Sequence, residues 1–169
     1  MNIPNKYYIA YGSNLNHKQM SQRCPDALFV GKGYLKGCEL VFRGNDQNAV
    51  ATIESKENSR VPVGVWKISQ HDERYLDIYE GYPRLYRKEF VPIESHQRKV
   101  NAMVYIMNDG YELALPSKIY FDTICQGYQD CGLDMTYLKQ AVSKIEKMQI
   151  DRDKEFEQDY PIGYRDLRE

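Results

Sequence analysis

Tyr7-Tyr8-Ile9-Ala10-Tyr11-Gly12-Ser13-Asn14-Leu15 is the stretch around which this chain is read. Tyr7, Ile9 and Tyr11 alternate with Tyr8 and Ala10, the period of a strand. The run then stops in a Gly-Ser-Asn turn. Gly12 lets the backbone turn sharply and lets a ligand come close. Ser13 and Asn14 can cap a short helix from Asn16 to Arg23. A strand, a tight polar turn and a helix start together aim backbone N–H groups at a bound anion. The same residues also make an ordinary strand-to-helix connection, and spacing alone does not separate the two readings.

Working outward, the chain continues as short strands. Leu28 to Tyr34, Cys38 to Arg43 and Ala49 to Glu54 are three, with Gly44-Asn45-Asp46 as a turn between the last two. Lys56 to Arg60 reads as a polar loop. Val61 to Ile68 is a strand whose Pro62 belongs at an edge or an end, and whose Gly64 marks a bulge or a close approach. Leu85 to Ile93 and Val100 to Met107 complete the set. About six or seven short strands, few helices and no regular βαβ alternation give an α+β class, with a small curled sheet or barrel.

Three further helices are expected. Ser69 with Asp72 three residues on resembles a capping box, and Gly81 and Pro83 end that helix. Asp72, Leu76, Tyr79, Glu80 and Pro83 share one face, so Glu80 is aimed inward at the last turn. A carboxylate directed at a core needs a partner or a purpose; Arg84 or Arg87 could be that partner. Pro116-Ser117 opens a second helix to about Gln126, closed by Gly127. Asp134 caps a third, in which Leu138, Ala141, Val142, Ile145 and Met148 form an apolar stripe. Residues 1–150 are read as one domain and 151–169 as a polar tail.

Composition bounds the function. The 169 residues carry 23 Lys and Arg against 24 Asp and Glu, which excludes the basic excess of a dedicated nucleic-acid or membrane-surface binder. No apolar run reaches membrane-spanning length, and Met1 to Lys6 lacks a secretion pattern, so a soluble, cytoplasmic protein is expected. Cys24, Cys38, Cys125 and Cys131 form no CxxC pair and are expected as free thiols, Cys125 and Cys131 flanking a Gly-Tyr turn. His17, His71 and His96 are given no ligand role. Fifteen tyrosines suit a pocket both apolar and hydrogen-bonding, and equally a β-rich surface.

The Tyr11-Gly12-Ser13-Asn14-Leu15 turn, Asp77-Ile78-Tyr79-Glu80-Gly81 and Pro116-Ser117-Lys118-Ile119-Tyr120, in that order, resemble the γ-glutamylcyclotransferase-like family. Ala51-Thr52-Ile53, Val63-Gly64-Val65-Trp66 and Gly132-Leu133 extend the resemblance from about Tyr7 to Met148. It implies a small mixed β-barrel with flanking helices and a cofactor-free enzyme, without metal, that releases 5-oxoproline from γ-glutamyl compounds. It implies Glu80 as the catalytic acid/base. Tyr8, Ile9, Ala10, Tyr11, Gly12, Ser13, Asn14 and Leu15 become a substrate-binding loop, joined by Tyr86 and Tyr120. The partner is a small γ-glutamyl molecule, and monomer and homodimer both stay open. A non-catalytic module that binds a small acidic metabolite is the alternative, and a γ-glutamyl group on a larger scaffold is a third reading.

Overall fold

The computed structural model describes residues 3–159. Its strands are β1 (Lys6–Ala10), β2 (Leu28–Arg43), β3 (Val50–Ile68), β4 (Tyr86–Ser95) and β5 (Arg98–Met107). Its helices are α1 (His17–Arg23), α2 (Gln70–Glu80), α3 (Lys118–Cys131) and α4 (Met135–Asp159), with a 3-10 turn at Ser13–Leu15 after β1. The class is α+β, as expected.

The strands form one open five-stranded sheet in the order β2-β3-β1-β5-β4. The expectation of a barrel is therefore corrected: β2 and β4 lie at opposite edges of the order and are not paired. The count of six or seven falls to five because two pairs of expected strands are each continuous. Leu28 to Tyr34 and Cys38 to Arg43 are one strand that passes through Gly37 at φ 76°. Ala49 to Glu54 and Val61 to Ile68 are likewise joined in β3, across the segment expected as a polar loop. Cys38 pairs with Ser55 and Lys36 with Arg60, so residues 56–59 bulge opposite Gly37 alone. A bulge spends exposed polar residues without ending the strand, and Asn58 sits in it at φ 58°.

β1 is short and central. It runs antiparallel to β3 from Lys6↔Ile68 to Ala10↔Gly64, and parallel to β5 at Tyr7↔Ala102 and Tyr8↔Met103. The β2–β3 hairpin outruns it, so Pro62 lies beyond the β1 pairing, where its missing N–H costs nothing on that side. The sheet splits where β1 ends, between the long hairpin and β5. Open α/β and mixed sheets place ligands at such a point. The turn after β1 enters this split.

Caps fix the helices around it. Ser69 and Asp72 make the capping box of α2, and Gly81 closes it at φ 65°. Ser117 caps α3 by accepting from Tyr120 N. α1 is capped by Asn16, whose side chain accepts from Gln19 N, not by Ser13 or Asn14. The last two residues are left free to face the split.

α3 corrects a second reading. It does not stop at Gly127 but runs on to Cys131, ending at Gly132 with φ 66°. Cys125 and Cys131 therefore lie within this helix rather than around a turn. Gly127 is a contact residue. A Cβ there would sit 2.6 Å from Leu15 Cβ and 2.7 Å from Asn16 N. The helix backbone thus rests directly on the turn after β1. Gly64 serves the other side, since a Cβ on it would come within 2.9 Å of Leu15 Cδ2. Leu15 is fully buried between these two glycines.

α4 carries its apolar stripe inward through Leu138, Ala141 and Ile145. It continues past Ile150 to Asp159, with residues 151–156 exposed. The rest of the expected tail, 160–169, lies outside the described residues. All four cysteines are free. Among the described residues, no helix is long and apolar enough to cross a membrane.

Candidate active site

A cavity of about 230 Å³ opens where β1 ends. Tyr8, Tyr11, Gly12, Ser13 and Asn14 line it from β1 and its turn. Val50 and Ala51 come from β3, Tyr79 and Glu80 from the end of α2, and Leu85 and Tyr86 from the start of β4. Tyr105 enters from β5 and Tyr120 from α3. Eight of the expected site residues thus converge: Tyr8, Tyr11, Gly12, Ser13, Asn14, Glu80, Tyr86 and Tyr120. Ile9, Ala10 and Leu15 do not. Their side chains are buried in the core at 0%, 2% and 0% exposure; alternation in β1 turns Ile9 away from the Tyr8 face, and Leu15 packs between Gly64 and Gly127.

The turn itself is a 3-10 turn. Its internal bonds run from Leu15 N to Gly12 O and from Asn16 N to Ser13 O. The N–H groups of Ser13 and Asn14 at its start have no acceptor inside the turn, as at any helix N-terminus. Gly12 lies at φ −123°, so it is required for space rather than for a left-handed conformation. A Cβ there would press on Ala51 Cβ at 3.2 Å and reach 3.5 Å from the Tyr120 hydroxyl.

Glu80 meets the turn directly. Asn14 Nδ2 donates to Glu80 Oε1 at 2.9 Å and to the Tyr8 hydroxyl at 2.8 Å. Arg84 and Arg87 are not its partners; Arg87 pairs with Glu89. Burial pushes the Glu80 carboxyl up from 4.5 to about 7, against the Arg23 cation and the Asn14 hydrogen bond, which pull it down. A carboxyl poised there can both take and return a proton near neutrality.

The tyrosines around it stay protonated. Burial, followed by the negative charge of Glu80, raises Tyr8 and Tyr11 well above the ordinary phenol range. Burial raises Tyr86 and Tyr120 as well. Two of them have their hydrogens committed: Tyr11 donates to Tyr105 O, and Tyr86 donates to Ala51 O at 2.6 Å. Tyr120 is placed differently. Its oxygen accepts from Ala51 N at 3.1 Å, which leaves its own hydrogen to be donated.

Three contributors were not visible as site residues in the sequence. Tyr79 lines the cavity, and its hydroxyl meets Ser13 Oγ at 2.8 Å. Arg23 lies over the Tyr79 ring, 3.4 Å from its centroid, and donates to Asn14 Oδ1. Tyr105 is buried but also forms a wall, edge-on to Tyr8 at 5.9 Å and donating to Asp77 at 2.6 Å. Tyr79 could have been found one position before Glu80. Arg23 gave no signal, because its link to the site is through space.

An α+β sheet split at its central strand, with one carboxyl and a set of hydroxyls around a small cavity, is the anatomy of an enzyme acting on a small molecule. The chain belongs to the gamma-glutamyl cyclotransferase, AIG2-like family, whose model matches residues 8–122. It is 32% identical over 149 residues to a gamma-glutamylcyclotransferase of Bos taurus, covering 80% of this chain and 77% of that one. It is also 32% identical over 140 residues to the gamma-glutamylcyclotransferase of Homo sapiens, covering 77% of this chain and 73% of the relative. A solved structure of a gamma-glutamyl cyclotransferase superposes with a TM-score of 0.71 at 29% identity, over 80% of this chain and 85% of the other.

Proposed function

We propose that this protein is a gamma-glutamylcyclotransferase that releases 5-oxoproline from γ-glutamyl amides of small amines or amino acids, with Glu80 as the general acid/base. The observation that carries this reading is the hydrogen bond between Asn14 and Glu80, because it brings the anion-binding turn and the titratable carboxyl into one cavity.

The substrate's α-carboxylate lies at the turn, where the N–H groups of Ser13 and Asn14 receive it. Its α-ammonium then faces Glu80. The ionised carboxylate takes a proton from it, and the freed amine attacks the γ-carbonyl carbon. A C–N bond forms and closes a five-membered ring. The carbonyl oxygen gains negative charge, and the Tyr120 hydroxyl donates to it. Glu80 returns its proton to the departing nitrogen as the old C–N bond breaks. The ring nitrogen then gives up its second hydrogen, through Glu80, to the released amine; the products are 5-oxoproline and the amine as its ammonium, and Glu80 ends ionised again. The nucleophile is part of the substrate, so holding a folded near-attack conformer supplies much of the rate.

The test is a panel of γ-glutamyl amino acids and amines, with 5-oxoproline measured by mass spectrometry. Turnover by the wild type and a loss of about 100-fold or more in Glu80→Gln are expected. Comparable activity in Glu80→Gln removes Glu80 from its role. Tight binding across the panel without turnover points instead to a binding module for a small acidic metabolite.

A further inference from the structure

We propose that Arg23 is a positioning residue for Glu80: from outside the cavity, its guanidinium locks the Asn14 amide so that the donor end faces the carboxylate. The proposal rests on Glu80 being the acid/base, and it concerns a residue that is not among those lining the cavity.

Asn14 has two ends. An amide can rotate to exchange its oxygen and nitrogen, and only its partners decide which end goes where. Here Nδ2 spends both hydrogens, one on Glu80 Oε1 and one on the Tyr8 hydroxyl. Those two partners do not fix the orientation by themselves. A protonated Glu80 and a tyrosine hydroxyl could both donate to an amide oxygen in the same place. Arg23 removes that choice. A guanidinium has five N–H donors and no acceptor, so the end of Asn14 that it touches must be Oδ1. The nitrogen is thereby turned to Glu80, where it favours the ionised carboxylate, the form that accepts the proton.

The same guanidinium also ties the two halves of the site. It lies 3.4 Å from the centroid of the Tyr79 ring, the residue before Glu80 on α2. The Tyr79 hydroxyl in turn meets Ser13 Oγ at 2.8 Å. Arg23 Nη2 is held by Gln19 Oε1, one turn back on α1 at 3.2 Å. Arg23 therefore touches the turn and the end of α2 together, while its own helix braces it.

Its charge acts in the same direction. The titratable groups facing Glu80 are Tyr8 from β1, Tyr11 just after it, Tyr79 from α2, Tyr86 from β4, Tyr105 from β5 and Tyr120 from α3, with Arg23 of α1 behind Asn14. Of these, Arg23 is the one cation, and its charge lowers Glu80. Removing it takes away a cation that favours the carboxylate and frees the amide to present its oxygen to a protonated Glu80. Both changes favour the protonated acid.

The experiment tracks the ¹³C resonance of the Glu80 side-chain carboxyl, assigned by its absence in Glu80→Gln, from acid to alkaline pH. It is run on the wild type, Arg23→Met and Arg23→Lys, with kcat and KM for 5-oxoproline release measured alongside. In Arg23→Met the midpoint should rise by about one pH unit. At neutral pH kcat should fall about fivefold, as the ionised fraction falls from about a half to about a tenth, with KM little changed. Arg23→Lys, which restores a cation and a donor, should bring the midpoint back toward the wild type. An unmoved midpoint in Arg23→Met overturns the proposal, as does a loss expressed in KM alone. If Arg23→Met does not fold, Arg23→Ala removes the same donor and charge with a smaller side chain, and an unmoved midpoint in that variant is equally fatal. A wild type that binds but never turns over refutes the functional reading instead, while the titration still decides what Arg23 does.

Discussion

Asn14 and Glu80 are joined by a hydrogen bond of 2.9 Å, although 66 residues separate them in the chain. One belongs to the turn after β1 and the other to the last turn of α2. The bond ties the carboxyl to a side chain of the turn, yet it satisfies only one carboxylate oxygen at Asn14. Burial outweighs that single donor and the Arg23 cation, which is why the carboxyl titrates near 7 rather than 4.5.

The rate should report this directly. Glu80 must be ionised to take the ammonium proton, so kcat/KM is expected to be flat above about 7 on its acid side. Below that it should fall about tenfold per pH unit. A pH profile of kcat/KM for one γ-glutamyl substrate checks it. An acid limb at the ordinary carboxylate value would mean that the essential base is not Glu80 in this environment.

Stability should carry the opposite mark. The folded value of Glu80 is raised from 4.5 to about 7, so the native state holds the proton more tightly than the unfolded chain. The stability this contributes is present below 4.5 and is lost as pH rises through about 7. Glutamine cannot ionise and escapes the loss. Glu80→Gln should therefore unfold at higher urea concentration than the wild type above pH 7, by roughly 3 kcal/mol at most. That advantage should shrink toward acid pH. A variant that is less stable at alkaline pH contradicts the cause assigned to the shift.

How much of this was legible in the chain depends on what each signal measures. The capping box at Ser69 and the αL glycine at Gly81 are local, and they place Glu80 at the end of a helix from the sequence alone. Alternation places β1 and the turn. Strand continuity is not local. Gly37 and the polar bulge at residues 56–59 carry the composition of loops, yet pairing across the hairpin holds both in the sheet, turning seven expected segments into five strands. Gly127 misleads for a related reason. A glycine inside a helical pattern can mean an end or a contact, and only the neighbouring turn decides. Arg23 was invisible because a guanidinium that works through another side chain leaves no spacing to read.

Two tyrosines that look equivalent in the sequence should separate under substitution. The Tyr86 hydroxyl gives its hydrogen to Ala51 O at 2.6 Å, whereas the Tyr120 oxygen accepts from Ala51 N and keeps its hydrogen for the cavity. Tyr120→Phe should cost about 100-fold in kcat as the oxyanion donor is lost, and it also leaves the Ala51 N–H without its acceptor, at about 1–3 kcal/mol, so the two variants separate in kcat rather than in stability. Tyr86→Phe should leave a buried carbonyl unpaired and cost about 1–3 kcal/mol in unfolding free energy, with the smaller effect on kcat. Steady-state kinetics and urea unfolding on both variants make the comparison; the reverse pattern would exchange their roles.

The packing of α3 on the turn sets the last prediction. Alanine is a better helix former than glycine by about 1 kcal/mol, so Gly127→Ala should stabilise α3 if nothing touched that face. But a Cβ at Gly127 lies 2.6 Å from Leu15 Cβ, 2.7 Å from Asn16 N and 2.8 Å from Leu15 C. Two of these atoms are backbone and cannot rotate aside. Leu15 has little room to retreat, because its Cδ2 packs so closely on Gly64 that a Cβ there would lie 2.9 Å away. Overpacking of this kind costs about 1–3 kcal/mol, or more where backbone must move, and it outweighs the propensity gain. The displaced segment is the one that carries Ser13 and Asn14, so the damage should reach the site. Gly127→Ala is expected to lower the urea midpoint and to raise KM for γ-glutamyl substrates together. Urea unfolding and steady-state kinetics on the one variant suffice, and a gain in stability with unchanged KM would show that α3 does not rest on the turn.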